Sequence, residues 1–206
     1  MNTLYYAPGA CSIGIHVLLE EIGQPYEAKQ LDLKNGAQFK PEFTGINAKS
    51  KVPTLVRQDG SVLTEYPAIA FWLAASNPAA KLMPTDPAGQ AQALQYTDHA
   101  VSTMHMQAFS RMFRPSNFAP SEADAEAVRA RGKELYGKGF AVMDKALAGK
   151  EYLCGDYSFA DSALFYVSMW WVKRMEGTLP ANVAAHYARM LARPAVQRTM
   201  AAEGLA

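Results

Sequence analysis

Tyr5-Tyr6-Ala7-Pro8-Gly9-Ala10-Cys11-Ser12 is the most informative stretch of this chain. It joins a short apolar segment, Leu4-Tyr5-Tyr6, through Pro8 and Gly9 to a run with Ile15, Leu18, Leu19 and Ile22 at i, i+3, i+4 and i+7. That order is strand, turn, helix. A thiol at the mouth of such a helix lies beside N–H groups without intrahelical partners and at the positive end of the helix dipole. Cys11 is therefore a candidate thiolate of lowered pKa, or a binder of a thiolate. The same residues also read as plain structure: a buried cysteine, an N-cap serine and two strand aromatics.

Downstream, Gly23-Gln24-Pro25 ends the helix and Tyr26 to Leu33 reads as a second strand. Residues 34 to 50, rich in Lys, Asn, Gly and Pro, predict a loop with a short helix. In Lys51-Val52-Pro53-Thr54-Leu55-Val56 the proline cannot donate to a ladder, so the run belongs at a strand start or edge. Asp59-Gly60 between Thr54–Arg57 and Val62–Leu63 predicts a hairpin, and Thr64-Glu65-Tyr66-Pro67 opens a further helix. The first part thus reads β-α-β-(loop or α)-β-β-α, an α/β layer with helices on a small sheet.

Asn77 to Pro87 carries Pro78, Pro84 and Pro87 and reads as a linker; the expected divisions are residues 1–77, a linker 78–87 and an all-helical part 88–206. In Ala91 to Phe113, Leu94, Asp98, Val101, His105, Ala108 and Met112 are expected to share one face. Asp98 and His105, polar in that stripe, either satisfy each other in a core or look into a cleft. Glu122 to Leu147 predicts a helix with Tyr136, Phe140, Met143 and Leu147 on one face. Ser158-Phe159-Ala160-Asp161 has the spacing of a reciprocal N-terminal cap, and the helix behind it, Ala163 to Arg174, is apolar nearly all round. Shorter helical patterns follow at Val183–Leu191 and Val196–Glu203.

Composition narrows the function classes. With 206 residues, half of them hydrophobic, the chain can bury a sizeable core, and a net charge of +1 gives no electrostatic reason to bind nucleic acid or an anionic membrane. Cys11 and Cys154 form no C-x-x-C pair, which suits a reducing compartment. No secretory pattern opens the sequence, and the apolar segment around Phe165 to Val172 is too short to span a bilayer. The expected location is the cytoplasm.

The whole arrangement, a thioredoxin-like β-α-β-α-β-β-α part, a proline-rich linker and an all-helical part capped by Ser158-Phe159-Ala160-Asp161, resembles the cytosolic glutathione transferase family. Tyr5 to Ser12, the Val52-Pro53 step, Leu63-Thr64-Glu65, His105, Arg193-Pro194 and Glu203-Gly204-Leu205 are similar to its bacterial beta class. The resemblance implies a cis Pro53, with the backbone of Val52 pairing with the cysteinyl part of glutathione. It implies that Glu65, beside Lys51 and Tyr66, receives the γ-glutamyl end. Cys11 would lie against the glutathione sulfur, with His105 and Tyr6 as further catalytic candidates. Met104, Phe109, Phe113, Tyr166 and Trp170 are the candidate apolar wall for the acceptor.

Glutathione is the implied co-substrate, a small hydrophobic electrophile the implied acceptor, and a two-fold homodimer the implied assembly, with no metal. Conjugation to an electrophilic carbon and thiol–disulfide exchange through Cys11 both fit. Lys51 replaces a common glutamine, Met106 a common basic residue, and Tyr66-Pro67 the usual small residues after Glu65. These departures support an alternative, a binding or interaction protein of this fold with weak glutathione use. A glutaredoxin-like reductase is disfavoured, because Ala10-Cys11-Ser12-Ile13 lacks a resolving cysteine.

Overall fold

β1 (Asn2–Tyr6) runs inside a four-stranded sheet whose order is β2-β1-β3-β4. The coordinates are a computed structural model that describes residues 1–206. β2 (Tyr26–Gln30) lies parallel to β1, with Asn2 opposite Tyr26 and Tyr6 opposite Gln30. β3 (Thr54–Val56) is antiparallel to β1, with Leu4 opposite Leu55, and β4 (Val62–Thr64) is antiparallel to β3. The expected hairpin forms: Gly60 takes φ +82°, and the Asp59 carboxylate accepts the Ser61 N–H at 2.9 Å.

Alternation along β1 buries Leu4 and Tyr6 on one face. Over the sheet runs α1 (Ser12–Ile22), which buries Ile13, Ile15, Val17, Leu18 and Leu19 and stops at Gly23 in the left-handed region. A short α2 (Pro41–Thr44) lies in the predicted loop, and α3 (Tyr66–Ser76) follows β4.

The chain forms two compact units, Met1–Met83 with Arg189–Ala206, and Pro84–Ala188. The last helix, expected within the helical part, packs with the first unit. Its side chains explain this: across to α1, Arg193 pairs with Glu21 at 2.7 Å, Arg198 with Glu20 at 2.6 Å and Glu203 with His16 at 2.8 Å.

In the second unit α4 (Pro87–Asp98) is capped by Asp86, whose carboxylate accepts the Gly89 N–H at 2.9 Å. From His99 to Phe109 the helix widens to π winding before α5 (Ser110–Phe113). The buried stripe begins before this segment, in α4, and runs one residue behind the expected one over most of its length. Ala93, Thr97, Ala100, Met104 and Ala108 face inward, while Asp98, expected on that face, is exposed and accepts from Ser102. The reason lies on α6 (Ala125–Ala146): a Cβ at Gly132 would sit 2.8 Å from the Ala108 carbonyl oxygen, and one at Gly139 would sit 2.6 Å from Met104 Cγ. The two glycines let the wide helix approach closely. The predicted face of α6, Tyr136, Phe140 and Met143 with Leu147, is buried.

α7 (Phe159–Met175) is buried from Phe159 to Trp171, as its composition predicts. The reciprocal cap forms, with Asp161 accepting the Ser158 N–H at 2.8 Å. Asp161 also takes the Leu153 N–H at 2.9 Å and meets His186 Nε2 at 3.0 Å on α8 (Ala181–Leu191). α9 (Pro194–Ala202) is the helix that returns to the first unit. No helix is long and apolar enough to cross a membrane.

Candidate functional site

In the first unit the β1–α1 turn is drawn tight by Ser12. Its hydroxyl accepts the Ala7 N–H at 3.2 Å and donates to the Ala7 carbonyl at 3.3 Å. Ser12 is therefore the first residue of α1, and Cys11, with φ −57° and ψ −24°, occupies the N-cap position without a side-chain cap. The Cys11 thiol donates to the Val52 carbonyl at 3.4 Å. The Val52–Pro53 peptide is cis, as the resemblance implies.

Asn47, which sequence reasoning did not single out, organises the segment that carries Val52. Its buried amide donates to the Lys51 carbonyl at 2.9 Å and to Thr54 Oγ1 at 2.8 Å, while its oxygen accepts the Lys49 N–H at 3.0 Å. Asparagine in a loop before a strand is a weak signal that many turns share. Lys49, also missed, reaches Glu65 Oε1 at 2.7 Å and Thr64 Oγ1 at 2.9 Å. Glu65 holds φ +71°, unusual for a side-chain-bearing residue, and keeps its carboxylate 62% exposed. The pair is worth at most about 1 kcal/mol at such exposure, so it orients Glu65 more than it stabilises the fold.

The electrostatics of Cys11 correct the lowered-pKa expectation. Although part of the residue meets solvent, protein surrounds the sulfur, and burial pushes the thiol up to about 12. The N–H groups of Cys11 and Ser12 and the Lys51 ammonium pull the other way, and Glu65 adds to the rise. At neutral pH Cys11 is a hydrogen-bond donor.

Two other residues sit differently from expectation. Tyr6 is buried on the α1 side of the sheet, its ring 5.1 Å from His16, and burial together with the Glu203 charge raises its phenol above the usual range. Tyr66 is only 3% exposed, so it belongs to the core of the first unit. Pro67 occupies the first turn of α3.

In the second unit His105 is half-buried in an aromatic surround. Trp170 stands edge-on at 4.7 Å, Tyr166 at 5.8 Å and Phe109 at 6.4 Å, with the Tyr166 hydroxyl 3.5 Å from His105 Nδ1. Phe109 stacks on Trp170 at 4.2 Å and on Phe113 at 5.4 Å. Of the five residues expected to line an acceptor wall, Met104, Phe109, Tyr166 and Trp170 are buried and form the packing layer behind His105. Phe113 alone of the five is exposed, at 50%. Met104 fits against the glycine gap at Gly139 on α6, and Tyr166 and Trp170 lie on the buried α7. The sequence sites thus fall in two sets, Cys11, Lys51, Val52, Pro53 and Glu65 in one unit and His105 with its aromatics in the other.

Comparison with known proteins agrees with this organisation. Residues 9–76 match the family model of the glutathione S-transferase N-terminal domain. Glutathione S-transferase GstA of Escherichia coli O157:H7 is 33% identical over 208 residues, covering 98% of each chain. Glutathione S-transferase GST-4.5 of Xanthomonas campestris pv. campestris is 28% identical with the same coverage. Among solved structures, a glutathione transferase homologue from Sulfitobacter with bound glutathione superposes with a TM-score of 0.89 at 30% identity, covering 100% of this chain and 99% of that one. The beta-class glutathione S-transferase of Sphingomonas chungbukensis gives 0.83 at 29% identity, covering 99% and 100%. Identity of this level across nearly the full length of both chains, on a shared fold, means that the chain belongs to the glutathione S-transferase family.

Proposed function

We propose that the first unit binds glutathione along Val52 and Glu65, and that the chain transfers it to a small hydrophobic electrophile with Cys11 as donor to the glutathione sulfur. The hydrogen bond from Cys11 to the Val52 carbonyl carries this proposal, because it sets the thiol against the backbone segment that would pair with the cysteinyl part of the ligand. On binding, the S–H exchanges that carbonyl for the incoming sulfur. A protonated Cys11, the N–H groups of Cys11 and Ser12 and the nearby Lys51 charge then favour the ionised form of the glutathione thiol, whose proton passes to solvent. The thiolate attacks the electrophilic carbon, a C–S bond forms, and the leaving group departs with its electron pair.

Glu65, oriented by Lys49, is the counter-charge for the γ-glutamyl ammonium. His105 is the second group assigned to the reaction, as hydrogen-bond partner of the acceptor or of the thiolate, and Tyr6 acts through packing. Glutathione is the one co-substrate this chemistry requires, with no metal. A two-fold homodimer follows from the resemblance. A cytoplasmic setting suits two cysteines that remain unpaired.

Calorimetry with glutathione, followed by intact mass under oxidised glutathione, tests the proposal. Millimolar or tighter binding with a slowly forming Cys11 adduct at neutral pH is expected. Binding with an adduct that forms rapidly at neutral pH would overturn the donor role in favour of thiol exchange. No binding would overturn the glutathione site itself and leave the interaction-protein alternative.

A further inference from the structure

The side chain of Glu203 is buried completely, and that of His16 is 1% exposed, yet both carry ionisable groups. Glu203 Oε1 meets His16 Nδ1 at 2.8 Å, while Oε2 accepts the Gly9 N–H at 2.8 Å. Burying such a pair costs roughly as much as its attraction returns, so it is weak grounds for a stabilising role. Its reach suggests another one. Gly9, at φ +65°, lies in the turn that ends in Cys11, and the rest of that turn is closed by the Ala10 N–H to the Ala7 carbonyl at 3.0 Å and by Ser12.

Glu203 is itself set by local chemistry. Beyond α9, the Gly204 N–H returns to the Ala201 carbonyl at 3.1 Å and the Leu205 N–H to that of Met200 at 2.8 Å, with Gly204 at φ +68°. This left-handed helix ending fixes the residue just before it. Arg193 and Arg198 fasten the helix to α1 at Glu21 and Glu20, so the carboxylate arrives at Gly9 from a rigid support.

We propose that Glu203 is a positioning residue for the Cys11 loop, acting through its hydrogen bond to the Gly9 backbone. The proposal rests on this loop being the glutathione site. Lys51 and Glu65 are the main charges on the Cys11 thiol, and Glu203 reaches the loop through its Gly9 hydrogen bond, so the effect runs through geometry. A loop misplaced by about 1 Å costs on the order of a hundredfold in rate in well-ordered sites.

Glu203→Gln keeps an oxygen for Gly9 and an amide for His16. Glu203→Asp keeps the charge and loses the reach, and Glu203→Ala loses both. Transfer of glutathione to an activated chloronitroarene should fall about tenfold or more in kcat/KM for the Asp and Ala variants and stay within about threefold for Gln. Iodoacetamide labelling of Cys11, read by peptide mass with Cys154 as internal reference, needs no glutathione and tests the loop even if the glutathione site is elsewhere. The Asp and Ala variants should label Cys11 at least about fivefold faster with Cys154 unchanged. A general loosening would quicken both cysteines and overturn the proposal. So would wild-type Cys11 labelling in the Asp variant, or a Gln variant as impaired as Asp. Should Ala fail to fold, the Asp and Gln pair decides.

Discussion

Replacing Gly132 by Ala tests how the second unit holds His105. On α6, alanine is favoured over glycine by about 0.8–1 kcal/mol through helix propensity alone. The added Cβ would lie 2.8 Å from the Ala108 carbonyl oxygen, 2.8 Å from Met112 Cγ and 2.9 Å from Arg111 Cβ. Ordinary contacts between carbons are about 3.5–4 Å, and one of these neighbours is backbone, so the π-wound helix must move outward by several tenths of an ångström. Overpacking of this kind costs about 1–3 kcal/mol, or more where backbone must shift, and against the propensity gain a net destabilisation of up to about 2 kcal/mol results. Gly137 provides the control: it is exposed on the same helix and an added Cβ meets nothing within 4 Å, so Gly137→Ala should stabilise by up to about 1 kcal/mol. Urea unfolding followed by far-ultraviolet circular dichroism measures both. Because His105 lies one turn before Ala108, glutathione transfer should fall in Gly132→Ala and hold in Gly137→Ala. Equal stability of the two variants would refute the close packing of the π segment on α6.

Three further outcomes follow from the same geometry. The Cys11 thiol is held in its neutral form up to about 12 against an ordinary value of 9.0, so its contribution is fully present below about pH 9 and is lost as pH rises toward 12. Wild-type stability should decline over that window more than that of Cys11→Ala, by denaturant midpoints at stepped pH; Cys11→Ala should also lose any glutathione adduct while folding normally. His105→Ala should cut transfer at least about tenfold while shifting stability by under about 2 kcal/mol, and a variant that unfolds would make His105 a packing residue only. Asp161→Ala strands the Ser158 and Leu153 N–H groups and His186, all buried, and should destabilise by about 3–5 kcal/mol; a shift below about 1 kcal/mol in thermal or urea unfolding would contradict that buried network.

Much of the fold was legible because it rests on local signals. Glycine and proline placed the turns, Asp59-Gly60 set the hairpin, and Ser158 with Asp161 marked the start of α7. The stripe of Ala91–Phe113 was placed on a neighbouring face for a physical reason: periodicity does not say which face the next helix covers, and Gly132 and Gly139 on α6 leave room for Ala108 and Met104, so the buried residues are Ala93, Thr97, Ala100, Met104 and Ala108 and Asp98 is left in solvent. The burial of Tyr66 was not legible because a sequence does not say whether a ring at a helix start turns inward.

The order of residues alone determined the strand–turn–helix that bears Cys11, the Val52-Pro53 step and the mainly helical character of the chain past the linker, since each depends on neighbours within a few positions. Tertiary structure alone decided the protonation of Cys11, because desolvation is a property of what surrounds the sulfur, and the partnership of Glu203 with Gly9 and His16. Those groups are separated by 194 and 187 positions along the chain, and only the packing of α9 on α1 brings them within a hydrogen bond.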